Sequence, residues 1–183
     1  MRSITSIYLC CLFIIPLCIS EKKLFINNIA TCKGFNNGSL DWSEISYSRD
    51  PVKNMYTFTI ELTIHKEVSK NFGMEFNLWK CDSEGNLDSC EYFLKEKKDF
   101  HICDYLLDED QFWSVFVMRF VPPLVCPIKP GVYKAINVPF DCEYCLILPI
   151  DKPIVRSRLF GYDNNQTISC VDIELSFGSE KRG

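Results

Sequence analysis

Met55-Tyr56-Thr57-Phe58-Thr59-Ile60-Glu61-Leu62-Thr63-Ile64-His65 alternates without a fault. Tyr56, Phe58, Ile60, Leu62 and Ile64 fall on one side, and Thr57, Thr59, Glu61, Thr63 and His65 on the other. Successive side chains of a strand point to opposite faces, so the stretch predicts a β-strand with one buried and one wet face. Beyond the polar Lys66 to Asn71, Met74, Phe76 and Leu78 alternate with Glu75, Asn77 and Trp79, which predicts a second strand paired with the first in a β-meander. Strand composition returns at Val132 to Val138, Tyr144 to Leu148, Ile154 to Phe160 and Thr167 to Phe177. In the last of these, Val171, Ile173, Leu175 and Phe177 oppose Asp172, Glu174 and Ser176, and Asp163-Asn164-Asn165 marks the hairpin before it. Half-buried strands of this kind predict an all-β fold, two antiparallel sheets packed face to face as an immunoglobulin-like sandwich.

One stretch breaks the pattern. Asp99 has the character of a helix N-cap, and Phe100, Cys103, Leu106 and Leu107 follow at helical spacing up to the acidic Asp108-Glu109-Asp110. The apolar Phe112, Trp113, Val115, Phe116, Val117, Met118, Phe120 and Val121 then run into Pro122-Pro123, which ends regular structure. A short helical insertion is therefore expected around 99–120.

The first twenty residues read as a secretory signal: Arg2, an apolar run from Ile4 to Leu17, and the small-x-small Cys18-Ile19-Ser20. Such a run, followed at once by Glu21-Lys22-Lys23, is shorter than the ~20 apolar residues a membrane anchor needs. The expectation is a signal at 1–20 and one secreted, extracellular domain at 21–183. With 20 Lys and Arg against 24 Asp and Glu, the charge gives no footing to nucleic acid.

Eight cysteines remain beyond the signal: Cys32, Cys81, Cys90, Cys103, Cys126, Cys142, Cys145 and Cys170. An even number in an oxidising compartment reads as four disulfides, and spacing alone leaves their pairing open. The turn-rich residues between Cys81 and Cys90 suit a local bridge. Asn37-Gly38-Ser39 and Asn165-Gln166-Thr167 are glycosylation sequons, expected at Asn37 and Asn165 on exposed turns.

Cys142-Glu143-Tyr144-Cys145 has redox spacing, but a redox cysteine needs a lowered pKa, usually at a helix start, and the surroundings are strand-like. Neither His65 nor His101 stands beside a cysteine pair at finger spacing, so no metal is expected. Catalysis by Ser or Cys needs a base within reach, and neither histidine joins a nucleophile motif. Asp108 and Asp110 imitate a glycosidase dyad, yet three acids in one loop read as a solvated turn. The sequence therefore points away from an enzyme and from any cofactor.

Several blocks together carry a family resemblance: Glu61-Leu62-Thr63-Ile64-His65-Lys66-Glu67-Val68 with Leu78-Trp79-Lys80-Cys81, then Ser89-Cys90-Glu91-Tyr92 and Cys103-Asp104-Tyr105-Leu106-Leu107-Asp108. Val121-Pro122-Pro123, Cys126-Pro127-Ile128-Lys129-Pro130-Gly131-Val132-Tyr133, Leu148-Pro149 and Ile168-Ser169-Cys170-Val171-Asp172-Ile173 continue it. Over most of residues 21–183 the chain resembles the lipid-recognition (ML) family, in the branch of the ganglioside activators and their insect chemosensory relatives. The resemblance implies a cup between two sheets that takes acyl chains, with apolar rim loops that touch membranes. It also implies bridges Cys32 to Cys170, Cys81 to Cys90 and Cys103 to Cys126. Cys142 and Cys145 depart from the activator pattern and are left to pair with each other.

Burying apolar surface is worth about 25 cal/mol per Å², so a cavity lined by Phe, Leu and Ile holds an acyl chain without a charged anchor. The expected lining is Phe58, Ile60, Leu62, Phe76, Leu78, Leu148, Leu159, Ile173 and Leu175, with Leu106, Phe112, Trp113, Phe116 and Phe120 supplied by the apolar insertion. Among the latter, Phe112, Trp113 and Phe116 are expected at the lip. The function expected is carriage of a lipid or other apolar ligand, either a pheromone delivered to a receptor or a glycolipid presented to a hydrolase. The alternative is a ligand-free extracellular interaction module. The competing reading of any one of these rings is ordinary core packing.

Overall fold

A computed structural model describes residues 23–35, 38–53, 55–82, 87–98, 102–111, 113–141 and 152–178. The decisive stretch is a strand, β3 (Met55–Ile64), in which every second side chain is buried. It is flanked in an antiparallel three-stranded sheet by β2 (Leu40–Asp50) and β6 (Gly131–Phe140). A five-stranded antiparallel sheet holds, in spatial order, β1 (Lys23–Thr31), β8 (Gln166–Gly178), β7 (Ile154–Asp163), β4 (Phe72–Cys81) and β5 (Cys90–Lys98). The architecture is the immunoglobulin-like two-sheet sandwich.

The expected meander of β3 with β4 is overturned, because the two strands lie in different sheets. Alternation demands only that each apolar face be covered, and facing strands in opposed sheets satisfy that as well as adjacent ones do. The link between them crosses the core: Val68 is fully buried and exchanges both backbone hydrogen bonds with Ile128, at 2.9 and 3.0 Å. β1, β2 and β5 were not foreseen. A bulge in β2 between Trp42 and Glu44 shifts the apolar positions from Leu40 and Trp42 to Ile45 and Tyr47, and a bulge in β1 between Ile26 and Asn28 does the same. An extra residue on one strand breaks the period of two by which a strand is read. β5 is an edge strand with exposed Glu91 and Lys95, a composition that discourages pairing with other chains.

The insertion contains two single-turn helices, α1 (Ile102–Tyr105) and α2 (Ser114–Val117). Ser114 ties the entrance of α2 down by donating to the carbonyls of Gln111 at 2.6 Å and Glu109 at 3.0 Å. Ile102, Leu106, Phe120 and Leu124 bring the insertion into the main core. The cap expected at Asp99 and the strand expected over 144–148 lie outside the described residues.

Cys32–Cys170, Cys81–Cys90 and Cys103–Cys126 are bonded; Cys142 and Cys145 fall outside the described residues. The β7–β8 hairpin turns on Asn164 (φ 48°) and Asn165 (φ 65°), two left-handed residues in succession, the twist a two-residue hairpin favours. Asn165 is exposed there, and Asn37 is not among the described residues.

Candidate functional site

The ladders fix which side chains of the large sheet face the small one. Met74, Gly161 and Ser169 form one row across β4, β7 and β8; Phe76, Leu159 and Val171 form the next. Leu78, Ser157 and Ile173 follow, continued into β1 by Ile29, and then Val155 and Leu175, continued by Ile26. That this is the inner face is fixed by Met74, Ile26 and Ile29, all of which pack against the core.

The two inner faces are covered unequally. On the small sheet Tyr56, Phe58, Ile60, Leu62, Ile64, Tyr133, Ala135 and Val138 are all 7% exposed or less, so the middle strand and the β6 positions beside it are sealed, while Trp42, Ile45 and Tyr47 on β2 and Phe140 at the end of β6 stay partly exposed. On the large sheet the smaller Val155, Ser157 and Val171 are buried, while the bulkier Phe76, Leu78, Leu159, Ile173, Leu175 and Phe177 stay partly exposed. Apolar side chains on the inner side of a sandwich that remain in contact with solvent are those the opposite sheet does not fully cover.

The expected lining residues divide accordingly. Phe76, Leu78, Leu159, Ile173 and Leu175 share the partly exposed wall. Phe58, Ile60, Leu62, Leu106 and Phe120 belong to the main core cluster. Trp113 and Phe116, expected at the lip, are partly buried and packed against that cluster. Phe116 meets Phe58 edge-on with centroids 5.4 Å apart and lies 5.2 Å from Phe140, so these rings fill space opposite the small sheet. Phe112 and Leu148 lie outside the described residues. Sequence reasoning missed Ile26, Ile29 and Phe177, which a continued alternation in β8 and recognition of β1 would have supplied. It also missed Ser157, which faces the same side between Leu78 and Ile173.

Lys80 shares the row of Val155 and Leu175, with its ammonium over the Phe93 ring, 5.0 Å from the ring centre, while paired charges occupy the outer face. On the outer face of the large sheet Arg158 holds Asp172 with two hydrogen bonds, at 2.6 and 2.9 Å, and Arg156 meets Glu174 at 2.6 Å. The Asp172 carboxylate keeps the Arg158 guanidinium still more firmly protonated than usual. On the small sheet, burial pushes the Tyr47 phenol up, so it stays neutral and donates toward the Ile26 carbonyl at 3.5 Å. His65 is exposed and lies 2.6 Å from Asp41, while Asp108 accepts the Asp110 amide at 3.1 Å within its own turn. Among the described residues no three His, Cys, Asp or Glu side chains gather as a metal site would require.

Fold and site define a disulfide-bonded, all-β sandwich with an apolar, partly solvent-accessible inner wall. No protein-family model matches the chain, and no curated protein matches it. Among solved structures, a Niemann-Pick type C2 protein from Japanese carpenter ant aligns over 80% of this chain and 96% of that one, at 18% identity and a TM-score of 0.41. The fold assignment here rests on the strand ladders themselves.

Proposed function

We propose that the chain is a secreted, non-catalytic binding protein of ML type, which holds a lipid or similar apolar ligand between its sheets. The observation that carries the reading is the group of partly exposed Phe76, Leu78, Leu159, Ile173 and Leu175 facing inward from the large sheet. At about 0.8 kcal/mol per buried CH₂, a chain of roughly sixteen methylenes gains about 13 kcal/mol. The association cost is about 4–15 kcal/mol, so the chain must be buried over most of its length to be held. Residues 1–20 act as the signal and 21–183 as the single carrier domain, glycosylated at Asn37 and Asn165. Delivery of a pheromone-like apolar signal to a receptor is the use we favour; glycolipid presentation to a hydrolase would employ the same wall, and the tissue of expression separates them.

The test is native mass spectrometry of the full chain expressed through a secretory pathway. The reading expects a mature chain beginning at Glu21 that carries co-purifying lipid, and delipidated protein that takes up the apolar reporter N-phenyl-1-naphthylamine. Secreted protein that carries no lipid and leaves the reporter in water would sink it in favour of a ligand-free interaction module.

A further inference from the structure

Ser157 is out of place on the wall just described. It sits on β7, the middle strand of the large sheet, with Leu78 directly across on β4 and Ile173 directly across on β8. Along its own strand the next side chains on that face are Val155 and Leu159. All four neighbours are hydrocarbon. The residue is 8% exposed, yet its hydroxyl has no hydrogen-bond partner among the described residues, and it is not one of the side-chain atoms cut off from solvent without a partner. Its oxygen thus keeps some contact with solvent and is not sealed behind the wall.

The contrast on the same face is Ser169, which lies over Gly161 so closely that a Cβ there would stand 2.3 Å from its Oγ. Ser169 fills the gap a glycine leaves. Ser157 has leucine, not glycine, opposite it on β4 and no such gap to fill. A hydroxyl in an apolar surround costs free energy unless it finds a partner, and it both donates and accepts once one arrives.

We propose that Ser157 is the polar anchor of the ligand site and that the ligand is a neutral oxygenated hydrocarbon: a chain bearing a hydroxyl, carbonyl or ether oxygen that bonds Ser157 Oγ. The inference rests on the carrier reading above and narrows its ligand class. Val155, Leu159, Leu78 and Ile173 bring no charge to the spot, and the ammonium of Lys80, one row further along that face, is turned onto the Phe93 ring of β5, 5.0 Å from its centre. A neutral oxygen needs no counter-charge and exchanges water for the serine at little cost.

Decan-1-ol and undecane, similar in shape and differing in one oxygen, separate the possibilities when each displaces N-phenyl-1-naphthylamine from the delipidated full chain. Removing one partner of a buried hydrogen bond lowers affinity by about fivefold to tenfold. Ser157→Ala is therefore expected to weaken decan-1-ol by that factor and to leave undecane and the reporter unchanged; Ser157→Thr, which keeps the hydroxyl, restores the alcohol. Comparing each ligand between variants cancels the difference in their hydration. If the reporter binds and Ser157→Ala weakens neither ligand, or both equally, the anchor is overturned while carriage stands. If the reporter does not bind the wild-type chain, carriage itself fails and the anchor falls with it.

Discussion

Tyr56 reaches across the sandwich to Ile26: its hydroxyl accepts the Ile26 amide at 3.0 Å and donates to the Leu24 carbonyl at 3.2 Å. β1 is the edge of the large sheet, so its outward backbone groups have no neighbouring strand, and a tyrosine from the opposite sheet takes their place. Tyr56→Phe keeps the ring and removes both bonds, leaving two backbone groups poorly satisfied. A loss of about 1–3 kcal/mol is expected, which a thermal melt reads as roughly 2–12 °C for a domain of this size. Tyr47→Phe, which loses only the long contact to the Ile26 carbonyl, should shift the melt less. An unchanged Tyr56→Phe melt would show that the sheets are not joined there.

The unequal covering of the two walls makes a second prediction. Phe58 is 5% exposed and lies within 6.2 Å of the rings of Tyr47, Tyr56, Phe116 and Phe140. Phe58→Ala should cost about 3–5 kcal/mol in a denaturant titration of the ligand-free protein. Leu159→Ala, on the partly exposed wall, should cost clearly less, below about 2 kcal/mol, because part of its surface already meets solvent. Equal losses would mean that the large sheet is as tightly covered as the small one, and would remove the basis of the site.

What the sequence disclosed follows the same physical line. β3 was legible because its ten residues carry no bulge, so side-chain direction could be counted residue by residue. Phe76, Leu78, Leu159, Ile173 and Leu175 were assembled on one wall from alternation alone, though the sheet partner of β4 was misjudged. Alternation records which side of a strand is apolar and carries nothing about which strand lies beside it. The bulged β1 and β2 were invisible for the opposite reason, their apolar positions being intact but out of phase. Phe116 was expected at the rim by its place in an apolar run, and only the fold shows it against Phe58. Ser157 is unremarkable in sequence, since a serine among Ile154, Val155, Leu159 and Phe160 has meaning only when its ladder neighbours are known.

The three bridges differ most in the length of chain they close: 138 residues for Cys32–Cys170, 23 for Cys103–Cys126 and 9 for Cys81–Cys90. If the bridges act by restricting the unfolded chain, the longest should contribute about 5 kcal/mol and the shortest about 3 kcal/mol. Paired alanine replacements, compared by guanidinium denaturation, should therefore destabilise in the order of loop length. Loss of Cys81–Cys90 as damaging as loss of Cys32–Cys170 would point instead to enthalpy stored in the native β4–β5 edge.

At the end of β2 the Asp50 carboxylate accepts the Val52 amide at 2.9 Å and the Lys53 amide at 3.1 Å. The Lys53 bond first, and the Val52 bond after it, hold the Asp50 carboxyl below its ordinary value of 3.8. A carboxyl depressed in the folded state stabilises it fully above the unfolded value, and the contribution fades as pH falls through the folded one. Asp50→Ala should therefore melt lower than wild type at neutral pH, with the gap closing only below 3.8. Asp50→Asn keeps an acceptor for the two amides and should show a smaller gap without that closure. Thermal melts from neutral pH down to strongly acidic buffer check this; a gap for Asp50→Ala that stays constant throughout would mean the ionised carboxylate is not what secures the turn.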